Sequence, residues 1–176
     1  DAIDEYTYVE GGSLAQQHGV SGYYIRIAPL QIIDRHSRER LRITLPNHLW
    51  GNRTRKAVEI LSPDALALVR YGLRSADDPR IKDTVRLLDA TLRKQMTTGS
   101  GWRRSTHDGY GEHEDGSPFN GRGIGRCWPL LAGERGHYEL TAGNQREAER
   151  LLDTMAKQTS ECGMIPEQVW DAEDLP

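Results

Sequence analysis

The sequence predicts a mainly α protein with a small β element near its N-terminus, and three observations carry that prediction. From Ser62 onward, apolar residues recur at helical spacing behind recognisable N-terminal start signals. Before that point, Tyr23–Ala28 alternates aromatic or aliphatic residues with polar ones, which is the period of a strand. Between predicted helices runs a polar stretch from Gly101 to Trp128, too mixed in chemistry for a core element and too long for an ordinary connector.

The elements follow in order. Residues 1–22 show only a broken pattern, ending in Gly19 and Gly22. The strand at Tyr23–Ala28 comes next, and a second short strand is expected at Leu41–Leu45, after a charged turn around Arg35–Arg40. Ser62-Pro63-Asp64 supplies an N-cap, a proline at the first helical position and an acid in the first turn. Leu61, Ala65, Leu68, Val69 and Leu73 then mark one apolar face. Asp78-Pro79 repeats the start signal, with Ile81, Val85, Leu88 and Leu92 on one face and Gly99 as the expected stop. After the long stretch, Trp128–Leu131 and His137–Leu140 read as a broken helix pair. Asn144 with Glu147 resembles a capping box, followed by Ala148, Leu151, Leu152 and Met155, and that helix ends near Thr159–Gly163. Loops that are short at one end and long at the other suit a helical-hairpin toroid, in which the long loops gather into a site.

Composition narrows the function. A chain of 176 residues fits one domain with a real core. A hydrophobic share of 36% and a mean hydropathy of -0.69 describe a polar, water-exposed protein, and no run is long and apolar enough to span a bilayer. The acidic start, DAIDEYTYVE, is not a secretory leader, which leans the expectation toward the cytoplasm. A net charge of -3 argues against a general nucleic-acid binder. The locally basic stretch Arg35–Lys56 lacks the interleaved aromatics of a stacking platform and reads as a solvated loop or hairpin, with a nucleic-acid patch as the rival. Four of the 23 basic residues are lysines and the rest arginines, a skew that fits either planar recognition or a genomic bias. Cys127 and Cys162 have no metal-motif spacing; free thiols are the first reading and a single disulfide the second.

The long stretch carries Asp108, Glu112, Glu114 and Asp115 with His107 and His113 among them. It has no HExxH and no calcium-loop register, so no metal is expected, an irregular calcium site being the nearest alternative. Gly121-Arg-Gly-Ile-Gly-Arg lacks the third glycine of a phosphate-binding turn and follows no apolar strand, so no nucleotide and no other cofactor is expected. Carbohydrate suits the residue types better. Vicinal hydroxyls call for planar donors and acceptors, here Arg103, Arg104, Asp108 and Glu112, and the C–H face of a sugar calls for aromatic rings, here Trp102, Tyr110 and Trp128. The alternative for each is structural: the tryptophans anchor the core and the acids cap helices.

Further on, Gly163-Met-Ile-Pro-Glu-Gln-Val-Trp-Asp171 holds Glu167 behind a proline that keeps the preceding backbone extended, with Ile165 and Val169 as expected packing anchors. Such an acid fits either a general base or a surface carboxylate beside a buried tryptophan.

Taken together, WRRSTHDGYGEHEDG, GIGRCWPLLAGERGHYEL and GMIPEQVWD resemble the bacterial branch of glycoside hydrolase family 15, the glucoamylases and glucodextranases, with YYIRIAP in support. The resemblance spans about Tyr23 to Pro176. It implies a partial (α/α)6 barrel and inverting hydrolysis of terminal α-linked glucose in α-glucans or oligosaccharides. It also implies Glu167 as the general base, Arg104 and Asp108 as sugar-binding residues, and Trp102 and Tyr110 as walls of the site. Two departures stand out. Arg104 is followed by Ser105 where the family has a tyrosine, and the family's Trp-Glu-Glu segment, which carries the general acid, is absent from this sequence. Twelve average helices would need about 130–145 residues before any loops, and only four or five helices are visible. The expected unit is therefore the C-terminal part of a catalytic domain, residues 1–176 as one body. Such a half-barrel would expose an apolar face to a second copy or a complementary chain. The alternative is a non-catalytic carbohydrate-binding remnant. No nucleic-acid or membrane partner is expected.

Overall fold

The computed structural model describes residues 2–26, 40–48, 51 and 53–173. Its centre is a helix at Pro79–Thr91, labelled α4 below, whose residues enter both hydrophobic clusters of the core. The chain begins with α1 (Ala2–Thr7), β1 (Tyr8–Glu10), α2 (Ser13–His18) and β2 (Gly22–Tyr24), none of which except β2 is legible as an element in the sequence. β1 and β2 pair antiparallel, Val9 opposite Tyr23. The expected strand at Tyr23–Ala28 is thus partly present, its last residues lying outside the described ones, as does most of the charged turn before Arg40. The second expected strand is β3 (Arg42–Thr44), paired antiparallel with β4 (Thr54–Lys56).

The predicted helix after Ser62 is shorter than its apolar pattern suggests. A 3-10 turn at Pro63–Ala65 leads into α3 (Leu66–Arg70), and Leu73 lies beyond it, more than half exposed. α4 itself begins as expected, with the Asp78 carboxylate accepting from the Arg80 amide and Pro79 at the first position. Its faces divide the core in two. Leu87, Leu88 and Leu92 pack with Tyr23, Leu61 and Trp102, while Ile81 and Val85 pack with Tyr24, Leu66 and Tyr138.

Gly99 does not stop this helix. α4 ends at Thr91, and the chain turns into a hairpin of β5 (Arg93–Met96) and β6 (Gly99–Trp102). Arg, Lys, Gln and Met all favour helices, so propensity gives no stop after Leu92. The hairpin prevails because it delivers Trp102 into the core beside Leu88 and Leu92. The β content therefore extends beyond the N-terminal region.

The expected broken pair is one continuous helix, α5 (Pro129–Thr141), joined by a short turn to α6 (Gln145–Lys157). Its internal glycines suggest breaks but serve packing: a Cβ at Gly133 would sit 2.9 Å from the Met155 sulfur of α6. The capping box does not form. Asn144 turns its amide to Glu139 Oε2 at 2.7 Å instead of capping the helix it precedes.

The GERGHYEL segment has a structural task. Arg135 on α5 donates to both oxygens of Asp89 on α4 and to Glu139 Oε1 at 2.8 Å, and its guanidinium lies over Trp102 and Tyr138. Trp102 Nε1 donates to Asp89 at 3.0 Å. This buried network fixes α5 against α4 and β6, and so fixes both ends of the long loop.

Candidate active site

Three segments distant in sequence meet side by side just beyond Trp102. Arg103 forms an antiparallel bridge with Cys127, and Cys127 forms another with Val169, whose amide donates to the Cys127 carbonyl at 2.9 Å. The first two segments begin and end the long loop. The third is the GMIPEQVWD stretch, irregular in backbone and held at Val169 by that single bridge.

A buried carboxylate ties the three together. The Asp171 side chain is 0% exposed and accepts from Arg103 Nε at 2.7 Å, Arg103 Nη2 at 2.9 Å and Arg126 Nη1 at 3.3 Å. Burial alone would push this carboxyl up, but the hydrogen bonds and charge of Arg103, aided by Arg126, hold it below the usual carboxylate range. Burial and the neighbouring Asp171 push the Cys127 thiol well up, so it stays protonated. Both cysteines are free. Arg126 stacks at 3.9 Å over the Trp170 ring and donates to the His113 carbonyl at 2.9 Å, while its amide donates to Gln168 Oε1 at 3.0 Å.

On this frame stands a planar polar platform. Arg104 grips Asp108 with both prongs, Nε to Oδ2 at 3.0 Å and Nη2 to Oδ1 at 2.6 Å. Asp108 Oδ1 also accepts from the Tyr110 amide at 3.1 Å, which fixes where the tyrosine leaves the backbone. The Arg104 guanidinium lies 5.2 Å from the ring centres of both Tyr110 and Trp128. Tyr110 Oη then donates to Glu167 Oε2 at 3.1 Å across the two segments. That bond and the negative charge push the Tyr110 phenol up, so it remains a donor at neutral pH.

Of the predicted site residues, the structure brings Arg104, Asp108, Tyr110 and Glu167 into one constellation. Trp102 is not part of it. It is 3% exposed among the core leucines and spends its indole N–H on Asp89, so the structural reading holds there. Trp128, half-buried, is the second aromatic ring beside Arg104. Ile165 is not a packing anchor but 48% exposed; Val169 does the anchoring through its bridge to Cys127. Ser105, standing where the family has an aromatic, is buried and accepts from Arg26 Nη1 at 3.1 Å.

The other carboxylates of the long loop disperse. Asp115 closes a local turn with Ser117, and Glu112 and Glu114 are exposed. Among the described residues no three His, Cys, Asp or Glu side chains group as a metal site would require. The loop's glycines allow it to fold against its neighbours: a Cβ at Gly109 would lie 1.8 Å from the Asn47 carbonyl oxygen. Sequence reasoning missed the roles of Arg126 and Asp171. The available signal was a charged residue next to Cys127-Trp128 and another after Val169-Trp170, each embedded among residues expected to be buried.

A bidentate arginine–carboxylate fork, two aromatic rings and an exposed carboxylate bonded to one of them are residue types that would suit a saccharide-binding class of protein, here on a helical-hairpin scaffold. Comparison with known proteins agrees with that class. The chain is 41% identical over 174 residues to a glucoamylase of Clostridium sp. (strain G0005), matching 99% of this chain and 23% of that protein. It superposes on the crystal structure of a bacterial glucoamylase complexed with acarbose with a TM-score of 0.84 and 41% identity, covering 99% of this chain and 24% of the other. The resemblance read from the three sequence blocks is therefore real, and the fold is part of an (α/α)6 barrel. The chain spans about a quarter of the length of these relatives. No protein-family model matches it.

Proposed function

We propose that this chain is the base-bearing part of an inverting α-glucan exo-hydrolase of the glucoamylase or glucodextranase type. Residues 1–176 act as one body, the C-terminal part of such a catalytic domain. The observation that supports this reading best is the Tyr110–Glu167 bond beside the Arg104–Asp108 fork. It sets a solvent-facing carboxylate next to groups suited to hold the hydroxyls of a terminal glucose. Glu167 takes a proton from the water that attacks the anomeric carbon. Tyr110 orients that carboxylate by donating to one oxygen and leaves the other for the water. Arg104 and Asp108 hold sugar hydroxyls, and Tyr110 and Trp128 wall the ring.

Inversion needs an acid on the opposite side of the bond, roughly 6.5–9.5 Å away, with room for the water. No Trp-Glu-Glu segment in this sequence supplies it. Proton donation to the leaving oxygen contributes about 10²–10⁴-fold. The chain alone is therefore expected to release almost no glucose from maltose or isomaltose, and robust turnover in a coupled glucose assay would overturn the assignment of the acid to another segment.

A second reading, a half-barrel that works with a complementary chain or a second copy, draws on the outer face of α5 and α6. Leu130 and Leu140 are each 58% exposed and Leu152 67%, around a groove of about 490 Å³. An apolar face of this kind marks an interaction surface. On this reading light scattering of the chain alone shows a dimer or larger species; a stable monomer at high concentration contradicts it.

A further inference from the structure

The basic stretch that stands out in the sequence takes no part in the active site, and its described part folds as the β3–β4 hairpin. The two faces of the hairpin differ. Leu41 and Ile43 pack against the core, while Arg42, Thr44 and Lys56 are exposed on the other side. The antiparallel register sets Arg42 directly opposite Lys56, so two cations share one small patch of surface. Arg40 and Arg53, just before each strand, are exposed as well.

Like charges placed opposite each other on a sheet destabilise it. Elsewhere in this protein arginines meet carboxylates, as Arg70 meets Glu134, Arg80 meets Asp78 and Arg135 meets Asp89. No ion pair among the described residues includes Arg42 or Lys56, and Glu59 accepts from the Lys56 amide, at 3.3 Å, instead of pairing with its ammonium. In a chain with a net charge of -3, this hairpin is a local reversal of sign. It also leads straight to the candidate active site. The Asn47 carbonyl accepts from the Gly123 amide at 3.3 Å, and His48 bridges Gly123, so the hairpin is joined to the long loop. From Arg42 to Asn47 is at most about 17 Å along an extended strand, within reach of one oligosaccharide.

We propose that the β3–β4 hairpin binds a phosphate monoester carried by the same glucan whose terminal glucose occupies the Arg104–Asp108 platform. The inference rests on the proposed carbohydrate site and adds an anionic group to its substrate class. A phosphate monoester has a charge of about −1.5 to −2 near neutral pH and three acceptor oxygens, which matches one arginine and one lysine opposite each other. Arg42 offers a planar fork for two of those oxygens, and Lys56 a point charge for the third. A carboxylate or a phosphodiester, with a single negative charge, leaves one of the two cations uncompensated. A nucleic acid also calls for aromatic rings on which bases stack, and β3 and β4 carry none.

The test is titration calorimetry of the chain with a maltodextrin and an isomaltodextrin, each with and without phosphate monoesters, and with a single-stranded oligonucleotide. It compares the unaltered protein with a variant combining Arg42→Gln and Lys56→Gln. Both side chains are exposed and the change removes a repulsion, so the variant should melt no lower than the unaltered protein. A lower melting temperature would show that the fold itself satisfies these charges, against the proposal. At low salt the unaltered protein is expected to bind one phosphorylated dextrin roughly fivefold more tightly than its plain form, the scale of two exposed charge pairs. High salt should remove that advantage. The variant should bind both forms alike, with the affinity for the plain dextrin unchanged. If phosphate brings no advantage, or the variant keeps it, the inference is refuted and the carbohydrate reading stands. An oligonucleotide bound as tightly as the phosphorylated dextrin refutes the glucan as partner. If the unaltered protein binds no dextrin in either form, both the inference and the carbohydrate reading fall.

Discussion

Asp171→Asn is expected to destabilise the fold by about 3–5 kcal/mol, the usual cost of removing one partner from a buried ion pair. Asp171 is the only carboxylate in contact with Arg103 and Arg126 among the described ion pairs, and its own side chain has no exposure. An asparagine keeps the shape but leaves two guanidinium groups, one of them almost fully buried, without a counter-charge. With total stabilities of domains near 5–15 kcal/mol, such a loss is a large share of the whole. Urea denaturation of the variant beside the unaltered protein measures it, and a difference under about 0.5 kcal/mol would refute the role given to this residue.

The pH dependence has a definite sign. The folded protein holds the Asp171 carboxyl below its ordinary value of 3.8. Its contribution is therefore fully present above that value and is lost as pH falls through the lower folded one. The gap in stability between the two proteins should be widest near neutral pH and shrink below about pH 4. The same substitution frees the 167–171 segment from the frame, so Glu167 would lose its place opposite Tyr110 as well.

How much of this was legible in the sequence depends on how local the determining forces are. The start of α4 at Asp78-Pro79 and its face of Ile81, Val85, Leu88 and Leu92 were readable because capping and helical periodicity are local. The β5–β6 hairpin was not, since its residues favour a helix and only the burial of Trp102 decides otherwise. The break predicted in α5 has the same cause, because Gly133 answers to Met155 on the next helix and not to its own neighbours. Arg104, Asp108, Tyr110 and Glu167, whose side chains the structure brings together, were singled out through the three sequence blocks. Trp102 was misplaced because an aromatic beside an arginine looks alike in sequence whether it faces a sugar or a core. Asp171 and Arg126 were overlooked because a charge buried by pairing has no local signature; its partner lies 68 residues away for Arg103 and 45 for Arg126.

The larger expected effect in function belongs to Glu167. Its exposed carboxylate, bonded at one oxygen by Tyr110, is oriented but not consumed by structure. Glu167→Gln preserves size, and its amide oxygen can still accept from Tyr110, so the fold should be unaffected. What it removes is the ability to take a proton from water. The rate of any base-assisted step should fall by about 10²–10⁴-fold.

A substrate that needs no acid isolates this role. In α-glucosyl fluoride the leaving fluoride departs with the C–F electron pair and requires no proton. Water then bonds to the anomeric carbon from the opposite face, its proton passing to Glu167, and β-glucose results. The most direct test of the account is therefore proton NMR of α-glucosyl fluoride hydrolysis by the chain and by its Glu167→Gln variant. β-Glucose is the expected first product, formed at a rate above buffer that the variant loses. Equal rates with the two proteins, or α-glucose as the first product, would contradict it.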